Sequence, residues 1–401
     1  MTTASLPTVK IGARGRARVT GGQPWIFRQD VLAGPTTDAR TDGPGLVLVT
    51  DERKRPLAVA TWSLESPIAL RILERRTDDT ALPDLLTLIQ NRLGRARERR
   101  TAFAFDRDAY RVVHGESDGL PGLFVDVYAN VAVMQTTSVA MDAERTNIAR
   151  LVQATLGTPM VIARDDGSAR DFEGLPRLRE TVCGSGSSQV TYRLGPNRLT
   201  ADLLVDSKTG GFLDQADNHA LVAALAPAGA RCLDAFTYHG GFALALARKG
   251  GQVLATDEDE KAVARASANA LGNGLTNLTV RQANAFDLLR SLEASGEKFD
   301  VVVLDPPAFA KRKSGDSAAE RAYREVILRG LRIAVPDGLV VTCSCSGRIT
   351  RQLFDTIVAE AAADSGRSVQ VLARLGAGRD HPELVGVPET GHLKCWILRV
   401  L

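Results

Sequence analysis

The sequence predicts an α/β protein in three consecutive parts: a β-rich module over residues 1–76, a small central α/β region over 77–195, and a Rossmann-like, doubly wound sheet over 196–401. From about residue 200, short apolar strands alternate with longer helical segments, which is typical of a mostly parallel sheet. Before residue 77, short alternating segments are broken by Gly and Pro, as in small β domains with tight turns. Hydrophobic residues make up 44% of the 401 residues and charged residues 24%, so wholesale disorder is excluded.

The N-terminal module carries the basic excess of the chain. Residues 1–76 contain 12 Lys and Arg against 7 Asp and Glu, a surplus of five, whereas residues 77–401 contain 38 against 40, a deficit of two. Such a surplus favours contact with a polyanion, and a solvated basic surface is the simpler alternative. The candidates for contact lie in a predicted basic loop, Arg14, Arg16 and Arg18, with the nearby aromatic Trp25.

The remaining elements follow from hydrophobic periodicity. Leucines at helical spacing predict a helix over residues 78–100, and residues 110–195 return to strands with one helix near 142–156. The stretch GSGSSQ at 184–189 is predicted to be a flexible hairpin tip or a linker. In the last part we predict strands at 231–236, 252–256, 278–282, 299–305, 338–344, 368–373 and 393–401, and helices at 241–249, 259–271, 285–294, 318–333 and 350–364.

The sequence also disfavours several protein classes. No stretch approaches the roughly 18 apolar residues of a membrane span, and the first residues lack the apolar core of a secretory signal. We therefore expect a cytoplasmic protein with no membrane partner. Five cysteines are too sparse for a disulfide framework. The close pair Cys343 and Cys345 lacks a second pair or a His cluster, so no metal site is predicted.

The carboxyl ends of the parallel strands are where a doubly wound sheet binds its ligand. Asp234 ends the first predicted strand and precedes the loop that contains Gly240 and Gly241. A dinucleotide fold would place G-x-G-x-x-G there, whereas a carboxylate at this point disfavours phosphate and favours a cationic ligand. S-adenosylmethionine, with its positive amino group and sulfonium, is therefore the predicted cofactor.

Two further strand ends extend the predicted cofactor site. Asp257 ends the second strand, where a carboxylate can accept hydrogen bonds from two ribose hydroxyls. Asn284 follows the third strand, where its amide can pair with the adenine edge. The alternative is that these side chains merely cap the helices that follow.

The fourth and fifth strand ends carry the candidate chemistry. Asp305 is followed by Pro306 and Pro307, which stiffen the turn and hold the acid at the sheet edge. An amine nitrogen has its own lone pair, but C5 of a pyrimidine becomes nucleophilic only after a thiolate adds to C6. Strand alternation places Cys343 and Cys345 on one face, and Cys345 lies nearer the loop, so it is the predicted nucleophile. Packing of both as small strand residues is the alternative.

These motifs together resemble the bacterial large-subunit rRNA methyltransferase I family, which makes 5-methylcytosine in 23S rRNA. The matching stretches are KTGGFLDQ at 208–215, FTYHGGF at 236–242, KFD at 298–300, DPPAF at 305–309, SCSG at 344–347, DHP at 380–382 and LK at 393–394. The resemblance covers nearly the whole chain. It implies an N-terminal PUA domain that binds RNA, a small central α/β domain and a C-terminal class I methyltransferase domain.

The resemblance also implies roles for individual residues of this chain. The implied catalytic residues are Cys345 and Asp305. The implied cofactor-binding residues are Phe212, Asp214, Gln215, Asp234, Phe236, Tyr238, Gly240, Gly241, Asp257, Asn284, Asp305 and Pro306. The implied RNA-binding residues are Arg14, Arg16, Arg18, Trp25 and Lys208. The implied partner is 23S rRNA or a precursor of the large ribosomal subunit, and relatives suggest a homodimer.

The sequence departs from the family pattern at three positions. Asn284 stands where an acid is usual, Ala308 stands where a lysine is common, and Cys343 is an additional cysteine. Two alternatives remain beside an RNA cytosine-C5 methyltransferase. One is an RNA guanine exocyclic-amine methyltransferase, in which Cys345 would be idle. The other is an inactive ribosome assembly factor, which the intact strand-end acids and Cys345 disfavour.

Overall fold

The computed structural model describes residues 6–35, 45–76, 84–309 and 316–401, and the chain folds as two compact units. The first comprises Met1–Val190 with two later segments, Ala201–Gly210 and Pro382–Thr390. The second comprises Thr191–Thr200, Gly211–His381 and Gly391–Leu401. Each of the three predicted parts contains a sheet of its own, and their boundaries stay a prediction.

The N-terminal part forms a six-stranded sheet with one helix. Its elements are β1 (Thr8–Ile11), α1 (Ala13–Thr20), β2 (Trp25–Phe27), β3 (Val31–Ala33), β4 (Leu46–Thr50), β5 (Pro56–Trp62) and β6 (Ile68–Arg75). The strand order is β2-β6-β5-β4-β1-β3, with β1 parallel to β4 and the other neighbours antiparallel. Val, Ile, Leu and Ala side chains of this sheet and α1 form a buried core.

The predicted basic loop at residues 14–18 is wrong, because these residues lie in α1. Arg14 and Arg18 are one helical turn apart and therefore share a face. Both donate to the buried carboxylate of Asp30, Arg18 at 3.1 Å. Gly15 lets the helix approach β1, since a Cβ there would lie 3.1 Å from the Cβ of Ile11. Contacts outside the segment thus organise the helix, and its local sequence pattern does not reveal them.

The central part is a five-stranded sheet with helices. Its elements are α2 (Leu85–Thr101), β7 (Ala109–His114), β8 (Leu123–Tyr128), β9 (Val131–Thr136), α3 (Val139–Ala143), α4 (Arg145–Leu156), β10 (Met160–Asp165) and β11 (Leu178–Gly184). The strand order is β11-β10-β9-β8-β7, in which β9 and β10 are parallel. Apolar residues of α2, α4 and the sheet form the core of this part.

Two predicted helices of the central part can be compared with the observed ones. The Asp84 carboxylate accepts from the Thr87 N–H at 3.0 Å and caps the start of α2, while the predicted helical residues 78–83 lie outside the described residues. The single helix predicted near 142–156 is two helices, α3 and α4. The break falls at Glu144, whose φ of −96° and ψ of 10° leave the helical region.

The stretch GSGSSQ joins two different sheets. β11 ends at Gly184 and pairs with β10, whereas β12 (Gln189–Leu194) pairs with β13 (Asn197–Asp202). A hairpin would pair the two strands on either side of the stretch. The linker alternative is therefore confirmed, and the hairpin tip is wrong.

The C-terminal part is a seven-stranded sheet. Its elements are α5 (Ala216–Leu225), β14 (Arg231–Asp234), α6 (Gly241–Arg248), β15 (Gln252–Asp257), α7 (Glu260–Gly272), β16 (Leu278–Gln282), α8 (Ala285–Ala294), β17 (Phe299–Leu304), α9 (Asp316–Ile333), β18 (Ala334–Ser344), α10 (Arg351–Ser365), β19 (Val369–Leu375) and β20 (Lys394–Val400). The order is β16-β15-β14-β17-β18-β20-β19; the first five strands are parallel, and β20 is antiparallel to both neighbours. The predicted doubly wound sheet is confirmed.

The strand order reverses between β14 and β17. Successive strands leave this point in opposite directions, and open α/β sheets bind ligands in the crevice that results. Asp234 pairs with Val303 in the register of β14 and β17, so Asp234 and Asp305 end adjacent strands at this crevice. Within the described ranges, no helix has the length and apolarity needed to cross a bilayer.

Candidate active site

Four polar residues mark the carboxyl edge of the C-terminal sheet. β14, β15, β17 and β18 are parallel neighbours, so the residues at their ends lie along one edge. These are Asp234, Asp257, Asp305 and Cys345. Asp234 is buried, and the other three are half-buried. The structure therefore brings together the acids and the cysteine that the sequence analysis selected.

Asp234 has a buried carboxylate oxygen with no hydrogen-bond partner among the described residues. Its Oδ2 accepts from Thr237 Oγ1 at 2.8 Å and from the Ala243 N–H at 3.1 Å, whereas Oδ1 has no partner. Burial raises the pKa of Asp234 to about 7, and the charges of Asp305 and Asp257 act in the same direction. A cation would stabilise the ionised carboxylate. The positive amino group of S-adenosylmethionine fits this requirement.

The loop between β14 and α6 depends on two residues with positive φ. Gly240 has a φ of 92° and Tyr238 a φ of 47°, a region that glycine adopts readily and other residues seldom adopt. The Tyr238 N–H donates to Asp257 Oδ2 at 2.9 Å. A Cβ at Gly241 would lie 2.3 Å from the His219 ring. The second strand-end acid therefore holds the loop that follows the first, and both glycines are needed for its path.

Aromatic side chains line this loop. Tyr238 stacks on His239 with ring centroids 3.7 Å apart, and it meets Phe212 edge-on at 4.9 Å. Burial lowers the pKa of His239 to about 3, so its ring is neutral near pH 7. Phe236 packs instead against the buried core of the sheet. Of the three aromatics predicted to bind the cofactor, Phe212 and Tyr238 touch each other and Phe236 lies against the core.

Gln215 orients the carboxylate of Asp305. Its Nε2 donates to Asp305 Oδ2 at 2.9 Å, and Asn218 Nδ2 donates to Gln215 Oε1 at 2.6 Å. Gln215 and Asn218 are both buried, so the relay is shielded from water. The buried Pro306 follows the acid and fixes the turn. Asn218 has no role in the sequence analysis, although its position three residues after Gln215 places it on the same helical face.

Asn284 and Asp214, two further predicted cofactor residues, also have partners within the protein. The Oδ1 of Asn284 accepts from two N–H groups in the first turn of α8, at 3.0 and 3.4 Å, and its Nδ2 lies 3.4 Å from Glu258 Oε2. This is the capping alternative for its oxygen, and the adenine contact through Nδ2 stays a prediction. Asp214 Oδ2 lies 3.1 Å from His392 Nε2.

Cys343 and Cys345 have different surroundings. β18 ends at Ser344, so strand alternation does not extend to Cys345. Cys343 is fully buried opposite Cys395 in β20, and burial raises the pKa of the Cys343 thiol well above its ordinary value. Cys345 is half-buried. Since the thiolate is the reactive form of cysteine, the less buried Cys345 is the better placed of the two to react, and its role as nucleophile stays a prediction.

Two further polar residues belong to this edge, and neither was predicted from the sequence. Lys394 contacts the carbonyl oxygen of Ser346, and the Tyr323 ring packs against Phe309 with ring centroids 4.9 Å apart. Burial raises the pKa of Tyr323 to about 12, and the charge of Cys345 adds to the shift. Lys394 is 2% exposed, and its Nζ donates to the carbonyl oxygens of Ser346 at 2.6 Å and His392 at 2.8 Å. The available signal for Lys394 is a lysine at the start of the mostly apolar strand KCWILRV.

The residues predicted to bind RNA lie in the first unit. Two arginines of α1 share the Asp30 carboxylate, which offsets part of their charge. Trp25 Nε1 donates to Glu116 Oε1 at 2.9 Å. Arg16 is half-buried, and Lys208 is exposed in the segment Ala201–Gly210. The structure thus leaves Lys208 exposed and commits part of the α1 group to internal contacts.

The sequence matches two family models. Residues 181–399 match an S-adenosylmethionine-dependent methyltransferase family, and residues 9–75 match a PUA-like domain. The ribosomal RNA large subunit methyltransferase I of Tolumonas auensis is 33% identical over 386 residues, which cover 94% of this chain and 95% of that protein. The chain belongs to this methyltransferase family. Its cofactor is S-adenosylmethionine, and its N-terminal module is the PUA-like domain implied by the resemblance.

Other methyltransferases agree with this family membership. The ribosomal RNA large subunit methyltransferase I of Erwinia tasmaniensis is 32% identical over 400 residues, covering 97% of this chain and 98% of that protein. A methyltransferase structure named SMU.776, in complex with SAH, superposes with a TM-score of 0.83 and 17% identity, covering 98% of this chain and all of that one. An S-adenosylmethionine-dependent methyltransferase of Streptococcus mutans gives a TM-score of 0.81 at 17% identity over the same shares. These structures share the fold of the methyltransferase described here.

Proposed function

We propose that this methyltransferase transfers a methyl group from S-adenosylmethionine to C5 of a cytosine in large-subunit ribosomal RNA, through a covalent adduct with Cys345. The observation that carries the proposal is the half-buried Cys345 at the end of β18, on the same sheet edge as Asp305. The names of the relatives support large-subunit ribosomal RNA as the substrate class. The PUA-like domain supports an RNA partner, and ribosomal RNA as substrate supports a cytoplasmic location.

Cofactor binding is assigned to the edge formed by β14 and β15. Asp234 Oδ1, buried and without a partner among the described residues, accepts from the cofactor's ammonium group. Asp257, which already holds the Tyr238 N–H, accepts from the ribose hydroxyls through its remaining lone pairs. Gly240 and Gly241 keep the loop clear of side chains where the cofactor approaches. When bound, the cofactor supplies an electrophilic methyl group.

The target base is oriented by Asp305. A cytosine must leave its stack to reach a strand-end pocket. A carboxylate is the usual acceptor for the exocyclic N4 amine of cytosine. The hydrogen bond from Gln215 at 2.9 Å fixes the rotation of the Asp305 carboxylate, and Pro306 fixes its backbone. The chain thus holds a planar amine-bearing base in one orientation beside Cys345.

Cys345 supplies the covalent step. Its thiolate adds to C6, forming an S–C6 bond while the C5=C6 electron pair moves to C5. C5 then bonds the methyl group as the sulfonium–methyl bond breaks, and S-adenosylhomocysteine is the leaving group. A base removes the C5 proton, the electron pair re-forms the C5=C6 bond, and the S–C6 bond breaks to return the thiolate. An amine target would require none of these steps, so the placed thiol favours carbon over nitrogen.

The test is covalent trapping on RNA that carries 5-fluorocytosine at the target position. Fluorine does not leave as a proton does, so the adduct persists and migrates as a protein–RNA band on a denaturing gel. Wild-type enzyme and the Cys343→Ser variant should trap, whereas Cys345→Ser should not. Cys343→Ser is the matched control because Cys343 lies two residues away and is buried.

Other outcomes would redirect the proposal. Trapping that survives in Cys345→Ser and vanishes in Cys343→Ser would show that Cys343 is the nucleophile. Methyl transfer without trapping in any variant would favour the guanine-amine alternative. Unchanged rRNA nucleosides in a deletion strain, measured by mass spectrometry, would favour the inactive assembly factor.

A further inference from the structure

The side chain of Lys394 reaches the segment that contains the proposed nucleophile. Lys394 begins β20 and pairs with Ser344, the last residue of β18. Its Nζ also donates to the carbonyl oxygen of Ser346 at 2.6 Å. Cys345 lies between these two contacts in the chain. The lysine is therefore fixed against the backbone on both sides of the thiol.

The burial of Lys394 calls for a compensating negative charge. A buried ammonium without a counter-charge is costly, and Lys394 is 2% exposed. Two carbonyl oxygens, those of Ser346 and His392, accept from two of its three N–H donors. In the part of the chain that the structure describes, no carboxylate forms an ion pair with Lys394. An anion beside it must come from another kind of group.

The charged groups around Lys394 identify that anion. Burial lowers the pKa of Lys394 to about 8, a negative charge on Cys345 opposes the shift, and Arg351 of α10 adds to it. Tyr323 of α9 faces Cys345 and Asp305, but its raised pKa of about 12 keeps the phenol neutral near pH 7. Cys345 lies in the chain between Ser344, which pairs with Lys394, and Ser346, whose carbonyl oxygen accepts from Nζ, so its sulfur is the titratable group placed to offset the ammonium.

We propose that Lys394 is a positioning residue that holds the Cys345 sulfur as a thiolate before RNA binds. This inference rests on the proposed function of Cys345 as the nucleophile. In forming the pair, the Sγ–H bond breaks, its electron pair stays on sulfur, and the proton forms the third N–H bond of the Lys394 ammonium. The same ammonium stabilises the thiolate when Cys345 leaves the adduct.

The two backbone contacts of Lys394 distinguish a positioning residue from a general base. Its Nζ is buried and directed to two backbone carbonyl oxygens, so we expect it to act on the target cytosine only through Cys345. A lysine that merely ties β20 to the following loop would leave the reactivity of the thiol unchanged. Thiol reactivity therefore separates the two roles.

The experiment measures the alkylation rate of Cys345 by iodoacetamide in the full-length protein without cofactor or RNA, between pH 5.5 and 10. A Cys183→Ser background removes the other half-buried thiol, and peptide mass spectrometry assigns the modified site. In this background, the apparent pKa of Cys345 should lie below the roughly 8.5 of a free thiol. Lys394→Met should raise it by about one unit or more and slow alkylation at pH 7 roughly tenfold.

The matched control is Lys298→Met. Lys298 also donates through Nζ to a backbone carbonyl, that of Arg332 at 2.5 Å, but it precedes β17 at the opposite edge of the sheet. This variant should leave the Cys345 pH profile unchanged. Equal pKa values for Cys345 with and without Lys394 would overturn the inference.

A second measurement covers a Lys394→Met variant that does not fold. The ultraviolet absorbance of thiolate is titrated in wild-type protein and in Cys345→Ser, and the difference gives the pKa of Cys345 with Lys394 intact. A value at or above 8.5 overturns the inference. If the pKa of Cys345 is lowered but 5-fluorocytosine does not trap the enzyme, the inference about Lys394 stands and the proposed function is refuted. If the enzyme is trapped but the pKa of Cys345 is that of an ordinary thiol, the proposed function stands and the inference about Lys394 is refuted.

Discussion

The carboxylate of Asp234 meets opposing demands from folding and from ligand binding. It is buried, and its Oδ1 has no hydrogen-bond partner in the described residues. Burial raises its pKa to about 7 from an ordinary value of 3.8. The negative charge of the ionised Asp234 carboxylate is unfavourable because it is buried, but the same charge attracts a cationic ligand. Replacing it by a neutral amide should therefore affect stability and affinity in opposite directions.

We predict that Asp234→Asn stabilises the cofactor-free protein at pH 8. Because the folded-state pKa is raised, the stabilisation from protonated Asp234 is present at low pH and is lost as pH rises from about 4 to about 7. An asparagine at this position does not ionise, so its contribution to the free energy of unfolding does not change over this pH range. Urea unfolding should show a gain on the order of 2–4 kcal/mol at pH 8, which shrinks as pH falls toward 4. A gain that is independent of pH would contradict the raised pKa.

The affinity for S-adenosylhomocysteine, which retains the ammonium group, should depend on pH in the opposite sense. Below about pH 7 Asp234 holds a proton, and a cationic ligand must displace it, so affinity should fall by up to tenfold per pH unit. Calorimetry between pH 5.5 and 8.5 measures this slope. Asp234→Asn should bind more weakly at pH 8 and show little slope. A wild-type affinity that does not change over this range would remove Asp234 from the ammonium site.

At the scale of elements, the loop between β14 and α6 is held against β15 by the Asp257 carboxylate and by a backbone hydrogen bond from the Thr237 N–H to the Thr256 carbonyl oxygen at 2.9 Å. Asp257 accepts from the Tyr238 N–H through Oδ2 and from the Asp259 N–H through Oδ1, at 2.9 and 3.0 Å. The acid therefore orders the loop and, in our proposal, also accepts from the ribose. Removing the Asp257 carboxylate should therefore remove its contact with the ribose and also reduce the order of the loop.

We predict that Asp257→Ala weakens S-adenosylhomocysteine binding by roughly 1.5–3 kcal/mol, the scale of charged hydrogen bonds. The control is Asp259→Ala, which removes the N-cap acceptor of α7 at 2.9 Å from the Lys261 N–H. That variant should lose about 1 kcal/mol of stability while its calorimetric affinity stays near wild type. Equal affinity losses in the two variants would contradict a direct contact between Asp257 and the ligand.

The elements differ in how far the sequence could predict them. The five predicted C-terminal helices lie within two residues of the observed ones, because apolar periodicity and short linkers mark their ends. α1 was not predicted, because its packing depends on Asp30 outside the helix. α5 was not predicted, because its segment ADNHALVAAL has no clear polar face. The break between α3 and α4 is a change of two dihedral angles at Glu144, which no residue type there signals.

For the whole molecule, the sequence predicts those residues of the candidate site that lie at the carboxyl ends of parallel strands. Asp234, Asp257 and Asp305 share an edge because parallel strands align their carboxyl ends. Lys394 was not predictable in this way, since its approach to Cys345 depends on the antiparallel register of β20 on β18. Register between strands fifty residues apart is a property of the folded sheet. The local sequence gives only a weak signal for it, a lysine at the first position of a mostly apolar strand.

RNA binding tests the charge arrangement of the first unit. We predict that Arg16→Gln lowers the magnitude of the slope of log affinity against log salt by about one, the loss of one phosphate contact. Arg14→Gln should have a smaller effect, because Asp30 already offsets that charge. Filter binding at several salt concentrations measures both slopes, and S-adenosylhomocysteine affinity should not change. If both variants keep the full slope, the phosphate contacts lie elsewhere.

The unequal burial of the cysteines determines how the protein responds to oxidants. Cys232, Cys343 and Cys395 are buried in the unit that carries the site, and Cys345 is half-buried there. Sulfur is oxidised fastest as an accessible thiolate. Peroxide should therefore convert Cys345 to a sulfenic acid before it reaches the other three, and a thiol reductant should reverse that first lesion. A preparation stored in air would lose methyl transfer while its melting temperature and its cofactor affinity remained intact.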